Sequence, residues 1–272
     1  MKNSQTLILD GRKEAEKIIR LLNYQIIRLS AHPTLAVILV GNNPASKLYV
    51  SLKEKKTTEI GAGFKKFLLP AGASEKKIIG LIQKLNRDKK VTGIMLQLPL
   101  PKKLNTNKII KFISPKKDVD GLLTNLKAVP PTIQSILHLI KMSKQKLAGK
   151  NAVILCNSSE FAEPLKILLT KNFKLKKIDV ILKPRKSDYQ IIRLLDYQII
   201  ISALGQKHFL KPNMIKKNAI VIDVGITRQN KKTFGDVDPK CFQKSKYISP
   251  VPGGVGPLTV AYLMKNLFKL KN

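Results

Sequence analysis

The sequence predicts an α/β protein of two units built around parallel sheets. Short apolar runs suited to buried strands alternate with segments of helical periodicity. A turn-rich stretch from Pro115 to Gly121 interrupts the alternation and marks a boundary between the units. Of the 272 residues, 43% are apolar, enough Ile, Leu and Val for a core, which excludes wholesale disorder.

From Gly11 to Ser30 the positions Ala15, Ile18, Ile19, Leu22, Ile26 and Leu29 recur every three or four residues, the mark of an amphipathic helix. Thr34 to Val40 reads as a buried strand. The loop Gly41 to Ser46 leads into a helix from Lys47 to Ile60, closed by Gly61. A strand near Phe64 to Leu69 follows, and Ser74 opens the next helix. Thr92 to Leu96 is a third apolar run, ending in Gln97-Leu98-Pro99-Leu100-Pro101. Asn105 to Ile113 is a helical piece, after which Pro115 to Gly121 is expected to leave the first sheet. Beyond the boundary, Thr132 is suited to cap a helix running to about Met142. The strands Ala152 to Leu155, Ile178 to Leu182, Ile199 to Ser202 and Ala219 to Val224 form a second α/β unit. Crossover helices force parallel pairing, and ligands of such sheets collect at the carboxyl ends of the strands.

Lys+Arg 51 against Asp+Glu 17 gives a formal charge of +34, a field that concentrates any anion. Nucleic acid is the obvious partner class to weigh. The lysines, however, are spread through nearly every polar stretch, and aromatic residues for base stacking stand at 6% with no tryptophan, which argues against it. Cys156 and Cys241 cannot form a disulfide framework, and no C-x-x-C spacing suggests zinc, so a reducing compartment is expected. With no targeting segment visible in Met1 to Leu9 and no run of about 18 apolar residues, the expectation is a cytoplasmic protein without a membrane partner.

Tyr49 and Lys53 stand four apart in the second helix and leave from one face, where a ring and an amine can flank a flat substrate. The spacing alone fits an ordinary solvated pair better, and it is the surrounding strings that favour a site. Gln97 ends a strand, where parallel sheets collect functional side chains. Asp118 and Asp120 sit among lysines and read either as a turn feature or as a site. The string Pro250 to Thr259 holds three glycines and three prolines, a rigid loop that a ligand can approach closely before a closing helix from Pro257. No G-x-G-x-x-G, P-loop or G-x-S-x-G is present, and the three histidines lie far apart, so no metal is expected. His138, in an apolar helix, reads as structural.

These strings in this order resemble the bifunctional 5,10-methylenetetrahydrofolate dehydrogenase/5,10-methenyltetrahydrofolate cyclohydrolase (FolD) family. The resemblance is carried by Val40-Gly41 with Pro44 to Val50 and Lys53, by Gly93 to Pro101, by Pro115 to Gly121, by Val221 to Ile226, by Gly235 to Asp238 and by Pro250 to Thr259. It implies a three-layer α/β folate-binding catalytic domain, 1–125 with the C-terminal helix 256–272 returning to it, and a Rossmann-like NADP-binding domain, 126–255. Folate would lie in the cleft between them. The implied roles are Lys53 as catalytic amine, Tyr49 as the ring against the folate, Gln97 as partner of Lys53 and Asp120 as anchor of the pterin. Pro252, Gly253, Gly254, Pro257 and Thr259 would complete the substrate site, and Ser158, Gly225 and Ile226 would meet the cofactor. The implied activity is oxidation of the methylene group with NADP, or NAD as the alternative, then hydrolysis to 10-formyltetrahydrofolate. Tetrahydrofolate, in polyglutamylated form as one option, is the substrate; a homodimer and no metal are implied as well.

The dinucleotide half departs from the family pattern. Its Gly-Arg-Ser string is replaced by Cys156-Asn157-Ser158, and Glu160 and Glu163 bring negative charge to a helix start that should greet pyrophosphate. After Leu182, however, the chain reads Lys183-Pro184-Arg185-Lys186, where Rossmann proteins that prefer NADP place basic residues. Either Lys183, Arg185 or Lys186 stands in for the missing arginine, so that NADP is preferred, or the stretch is one more solvated basic turn in a lysine-rich chain. The rival readings are a cyclohydrolase with impaired nucleotide binding and, further off, a basic nucleic-acid-binding protein.

Overall fold

The computed structural model describes residues 6–123, 128–185, 187, 194–230 and 232–271, which divide into two units. In chain order the elements begin β1 (Leu7–Ile8), α1 (Gly11–Ile27), β2 (Thr34–Val40), α2 (Pro44–Glu59), β3 (Gly63–Leu69), α3 (Glu75–Arg87), β4 (Gly93–Leu96) and α4 (Thr106–Ile110). They continue with α5 (Pro131–Met142), β5 (Asn151–Cys156), α6 (Ser159–Phe173), β6 (Lys177–Leu182), β7 (Ile199–Ala203) and β8 (Ile220–Asp223). A short ribbon, β9 (Thr227–Gln229) and β10 (Lys232–Phe234), precedes β11 (Tyr247–Ile248) and α7 (Val255–Lys271).

The unit formed by Ala15–Pro131 and Thr259–Asn272 holds a three-stranded parallel sheet in the order β3-β2-β4. Strand β2 is central and apolar on both faces, as a parallel strand covered by helices must be. It pairs with β3 from Thr34↔Gly63 to Val40↔Leu69 and with β4 from Leu35↔Gly93 to Ile38↔Leu96. Ile38, Ile78, Ile82, Ile94, Leu96 and Ile109 pack into its core. The stretch Pro115 to Gly121 does not leave this sheet as expected. Ile94 donates its N–H to Lys117 O at 2.7 Å and pairs with Asp118, because the open edge of β4 otherwise leaves backbone groups unmet.

The second unit, from the chain start to Glu14 and from Thr132 to Leu258, holds a six-stranded parallel sheet in the order β1-β11-β8-β7-β5-β6. Residues 6–14 cluster with this sheet: Leu7 donates to Lys246 O and Leu9 to Ile248 O, both at 2.8 Å, adding β1 as an edge strand. The other divisions fall at Pro131/Thr132 and Leu258/Thr259.

Three helix starts also move. Helix α5 begins at Pro131, so Thr132 is inside it rather than its cap, and α7 begins at Val255, ahead of Pro257. Helix α2 begins at Pro44 because Asn43 caps it: Asn43 Oδ1 accepts the Ser46 N–H at 3.0 Å, and proline suits the first helical position. Helix α2 carries Tyr49 and Lys53, so this cap sets where both begin. Asn43→Ala is expected to destabilise its unit by about 1 kcal/mol. The check is chemical denaturation, read as a lower midpoint at unchanged slope.

Candidate active site

Helix α2 turns its buried Val50 and Thr57 into the unit and leaves Tyr49 and Lys53, one turn apart, half-buried. Strand β4 delivers Gln97, only 7% exposed, whose N–H donates to Ile38 O. The Gln97 amide is oriented by its own neighbour: Nε2 donates to Leu98 O at 2.6 Å, leaving Oε1 to accept from Lys53 Nζ at 2.9 Å. Lys53 therefore meets a neutral oxygen and not a carboxylate. Burial lowers its pKa from the ordinary lysine value, opposed by the charge of Asp120.

Asp120 lies on the segment that runs beside β4. Burial pushes its carboxyl up to about 6; Lys53 acts against the rise and Asp118 adds to it. Asp118, the alternative candidate, is turned inward: it is 4% exposed and its Oδ2 accepts the Leu123 N–H at 2.8 Å, which makes it the anchor of the turn. Gly121 has a φ of +64°, and a Cβ there would lie 2.4 Å from Ala128 O, so only glycine closes the turn behind Asp120. Lys53, Gln97 and Asp120 are thus brought to one place, with Tyr49 on the same helix face as Lys53.

The glycine string belongs to the other unit as far as Leu258, while Thr259 belongs to the unit of Lys53. Gly254 donates to Pro250 O at 2.7 Å, and Gly253 O accepts the Arg12 N–H at 3.1 Å. A Cβ on Gly254 would lie 2.7 Å from Pro250 O, so its glycine serves the loop's own packing. Pro252 is exposed, and Pro257 sits in the first turn of α7.

At the carboxyl edge of the six-stranded sheet, Ser158 occupies the N-cap position of α6, yet its side chain makes no capping bond. Asn157, standing where the family has arginine, donates Nδ2–H to Leu204 O at 2.8 Å and ties the end of β5 to that of β7. Lys183 and Arg185 are exposed just beyond β6, and Lys183 donates its backbone N–H to Cys156 O at 2.8 Å. Lys186 lies outside the described residues. Glu160 and Glu163 are exposed on the first turns of α6.

Gly225 and Ile226 follow β8, and here the structure adds two residues that the sequence presented only as parts of longer strings. Buried Asp223 accepts N–H groups from Gly225, Asp236 and Val237 at 2.9–3.1 Å. Buried Asp236 accepts from Ser202 Oγ, Leu204 N and Gln206 N at 2.7–2.8 Å. The pair locks three loops at this edge, and a Cβ on Gly225 would lie 2.0 Å from the Asp236 carboxyl. Burial, then the neighbouring Asp236, holds Asp223 up at about 7. The available signal was two acids in apolar strings of a chain that has few.

His138 Nε2 lies 3.1 Å from Glu14 Oε2, both in the unit of the six-stranded sheet. Among the described residues no group of three or more His, Cys, Asp or Glu is placed to hold a metal ion, and no helix is long and apolar enough to cross a membrane.

Two family models match the chain. The tetrahydrofolate dehydrogenase/cyclohydrolase catalytic domain matches residues 9–120, and the NAD(P)-binding domain of the same enzymes matches residues 130–272. The bifunctional protein FolD of Wolbachia sp. subsp. Drosophila simulans is 40% identical over 282 residues, covering 96% of this chain and 94% of that protein. That of Geotalea daltonii is 37% identical, covering 95% and 96%. Among solved structures, the bifunctional enzyme FolD of Campylobacter jejuni aligns with a TM-score of 0.88 at 35% identity, covering 98% of this chain and 99% of that one. The Trypanosoma brucei enzyme, solved with NADP cofactor and an inhibitor, aligns at 0.87 and 28% identity, covering 98% and 97%.

Because the Lys53 charge favours the ionised form of Asp120, the Asp120 carboxyl is expected to titrate near pH 6 and to move upward in Lys53→Met. Carboxyl carbon shifts followed by NMR against pH check this; a midpoint that stays put or falls contradicts it.

Proposed function

The chain belongs to the tetrahydrofolate dehydrogenase/cyclohydrolase family, and on that footing we propose that it oxidises 5,10-methylenetetrahydrofolate with NADP and hydrolyses the product to 10-formyltetrahydrofolate. The observation that carries the reading is the Lys53 amine, half-buried, bonded to Gln97 Oε1 at 2.9 Å and under the charge of Asp120.

The ionised Asp120 accepts two N–H groups of the pterin, and the Tyr49 ring lies against it, which fixes the one-carbon unit over the amine. Pro252, Gly253, Gly254, Pro257 and Thr259 complete the substrate contacts. When bound, NADP would supply the acceptor for the methylene hydride, whose loss with its electron pair leaves a cationic methenyl carbon on the folate. Water then adds to that carbon, the bond to N5 breaks, and one proton is released. Lys53, whose pKa is lowered by burial, takes a proton from the water and returns one to N5, while Gln97 holds the amine in line.

The dinucleotide edge suits the cofactor. The N-terminus of the fifteen-residue helix α6 presents unmet N–H groups, and the Ser158 hydroxyl is not used in capping. Lys183 and Arg185 would hold the 2′-phosphate, in place of the arginine absent at Asn157. Lys186 is the third candidate for that role, and Gly225 and Ile226 line the nicotinamide side. The charge of +34 draws the anionic, polyglutamylated form of the substrate.

The working form is a homodimer in the cytoplasm. Strand β3 is an open sheet edge with Leu68 62% exposed, and α2 exposes Leu48 and Leu52, features that a second copy would cover. Cys156 and Cys241 are free thiols, which suits a reducing compartment.

The test is an assay of both steps on the parent and on Lys53→Met, with NADP and NAD. We expect dehydrogenation favouring NADP, and methenyl hydrolysis reduced at least about a hundredfold in the variant. Unchanged hydrolysis removes Lys53 from the mechanism, and rates equal with NAD or favouring it remove the phosphate role of Lys183 and Arg185.

A further inference from the structure

Within the unit of Lys53, three side chains of α7 reach the elements of the site. Met264 Sδ lies 3.3 Å from the Thr57 hydroxyl, one turn beyond Lys53, and Leu267 packs so close to Gly93 that a Cβ there would lie 2.9 Å from its Cδ1. Between them in sequence, Asn266 is 1% exposed, and its Nδ2 donates to two backbone carbonyls, Val119 O at 3.0 Å and Val129 O at 2.9 Å. Those carbonyls are ten residues apart in the chain and stand on either side of Asp120. They coincide with the place where Gly121 meets Ala128 O and Pro130 N. A single amide with two donor hydrogens therefore closes the neck of the segment that presents Asp120. Its position is hard to mimic, because any apolar replacement leaves two carbonyls without their donors.

We propose that Asn266 is a positioning residue for the folate site, clamping the neck at Val119 and Val129 so that Asp120 is held in place to receive the pterin. The proposal rests on Asp120 as the pterin anchor. Asn266 is buried with its amide bonded to the two carbonyls flanking Asp120, so its effect belongs in folate binding and not in nucleotide binding or in the stability of the six-stranded sheet. Lys53 and Asp118 are the charged groups that act on Asp120, whereas both Asn266 Nδ2 bonds end on backbone carbonyls, so the clamp works through backbone placement.

The experiment compares steady-state kinetics of the parent with Asn266→Leu, which removes both donors at similar volume, and Asn266→Ser, a smaller change that keeps one. Asp120→Asn is run beside them. The expected result is a rise of about tenfold or more in KM for methylenetetrahydrofolate in Asn266→Leu, a smaller rise in Asn266→Ser, and KM for NADP within about twofold of the parent. Faster amide hydrogen exchange at Gly121 to Leu123 accompanies it. An unchanged folate KM in the folded variants, or an equal rise for NADP, overturns the clamp. If Asp120→Asn raises the folate KM while the Asn266 variants do not, the clamp alone is wrong. If Asp120→Asn leaves it unchanged, the anchor reading falls and the clamp falls with it. Should Asn266→Leu not fold, the serine variant carries the same comparison.

Discussion

The site depends on the desolvation of one amine. A lysine ammonium in water resists losing its proton, and among 51 basic residues most remain in that state. Lys53 differs because α2 holds it half-buried against the side-chain oxygen of Gln97, a neutral partner that accepts a hydrogen bond without favouring the charge as a carboxylate would. Burial lowers the lysine and raises Asp120, so the same dryness moves both groups toward neutrality. With its carboxyl near 6, Asp120 is ionised at neutral pH and can accept hydrogen bonds, while the amine beside it can give up its proton more readily. Two roles, proton transfer and recognition, thus share one environment.

The rest of the unit serves to hold these groups. Strand β2 is the common partner of β3 and β4, so the register that places Gln97 is fixed through Ile38. Asn43 starts the helix that carries Lys53, and Asp118 anchors the turn that carries Asp120. The other unit follows a similar rule with opposite charge. In a chain with a surplus of cations, two of the few acids, Asp223 and Asp236, are buried as acceptors for the loops at the sheet's carboxyl edge. Their backbone partners are what makes such burial tolerable.

Local pattern made much of this legible. The periodicity of α1, the apolar runs of β2, β5 and β7, and the four-residue spacing of Tyr49 and Lys53 are properties of neighbouring residues, and the structure contains each of them. The place of Gln97 at a strand end was likewise readable. What the sequence could not yield are relations across long separations. Leu7 and Ile8 look like a terminal stub until they pair with Tyr247 and Ile248. Asp118 and Asp120 look alike in sequence, and only the fold turns one to the backbone and leaves the other facing the charge of Lys53. Pro115 to Gly121 carries turn residues, yet it lies along β4 because an open strand edge draws in a partner. Asn266, 137 residues from Val129, offered no local signal.

This chemistry requires the Lys53 amine to lose its proton more readily than an ordinary lysine. Its most direct measurement is an NMR titration of the lysine side-chain amines, with the Lys53 signal identified by its absence in Lys53→Met. Burial of the amine requires a midpoint below 10.5; one at or above 10.5 overturns the reading.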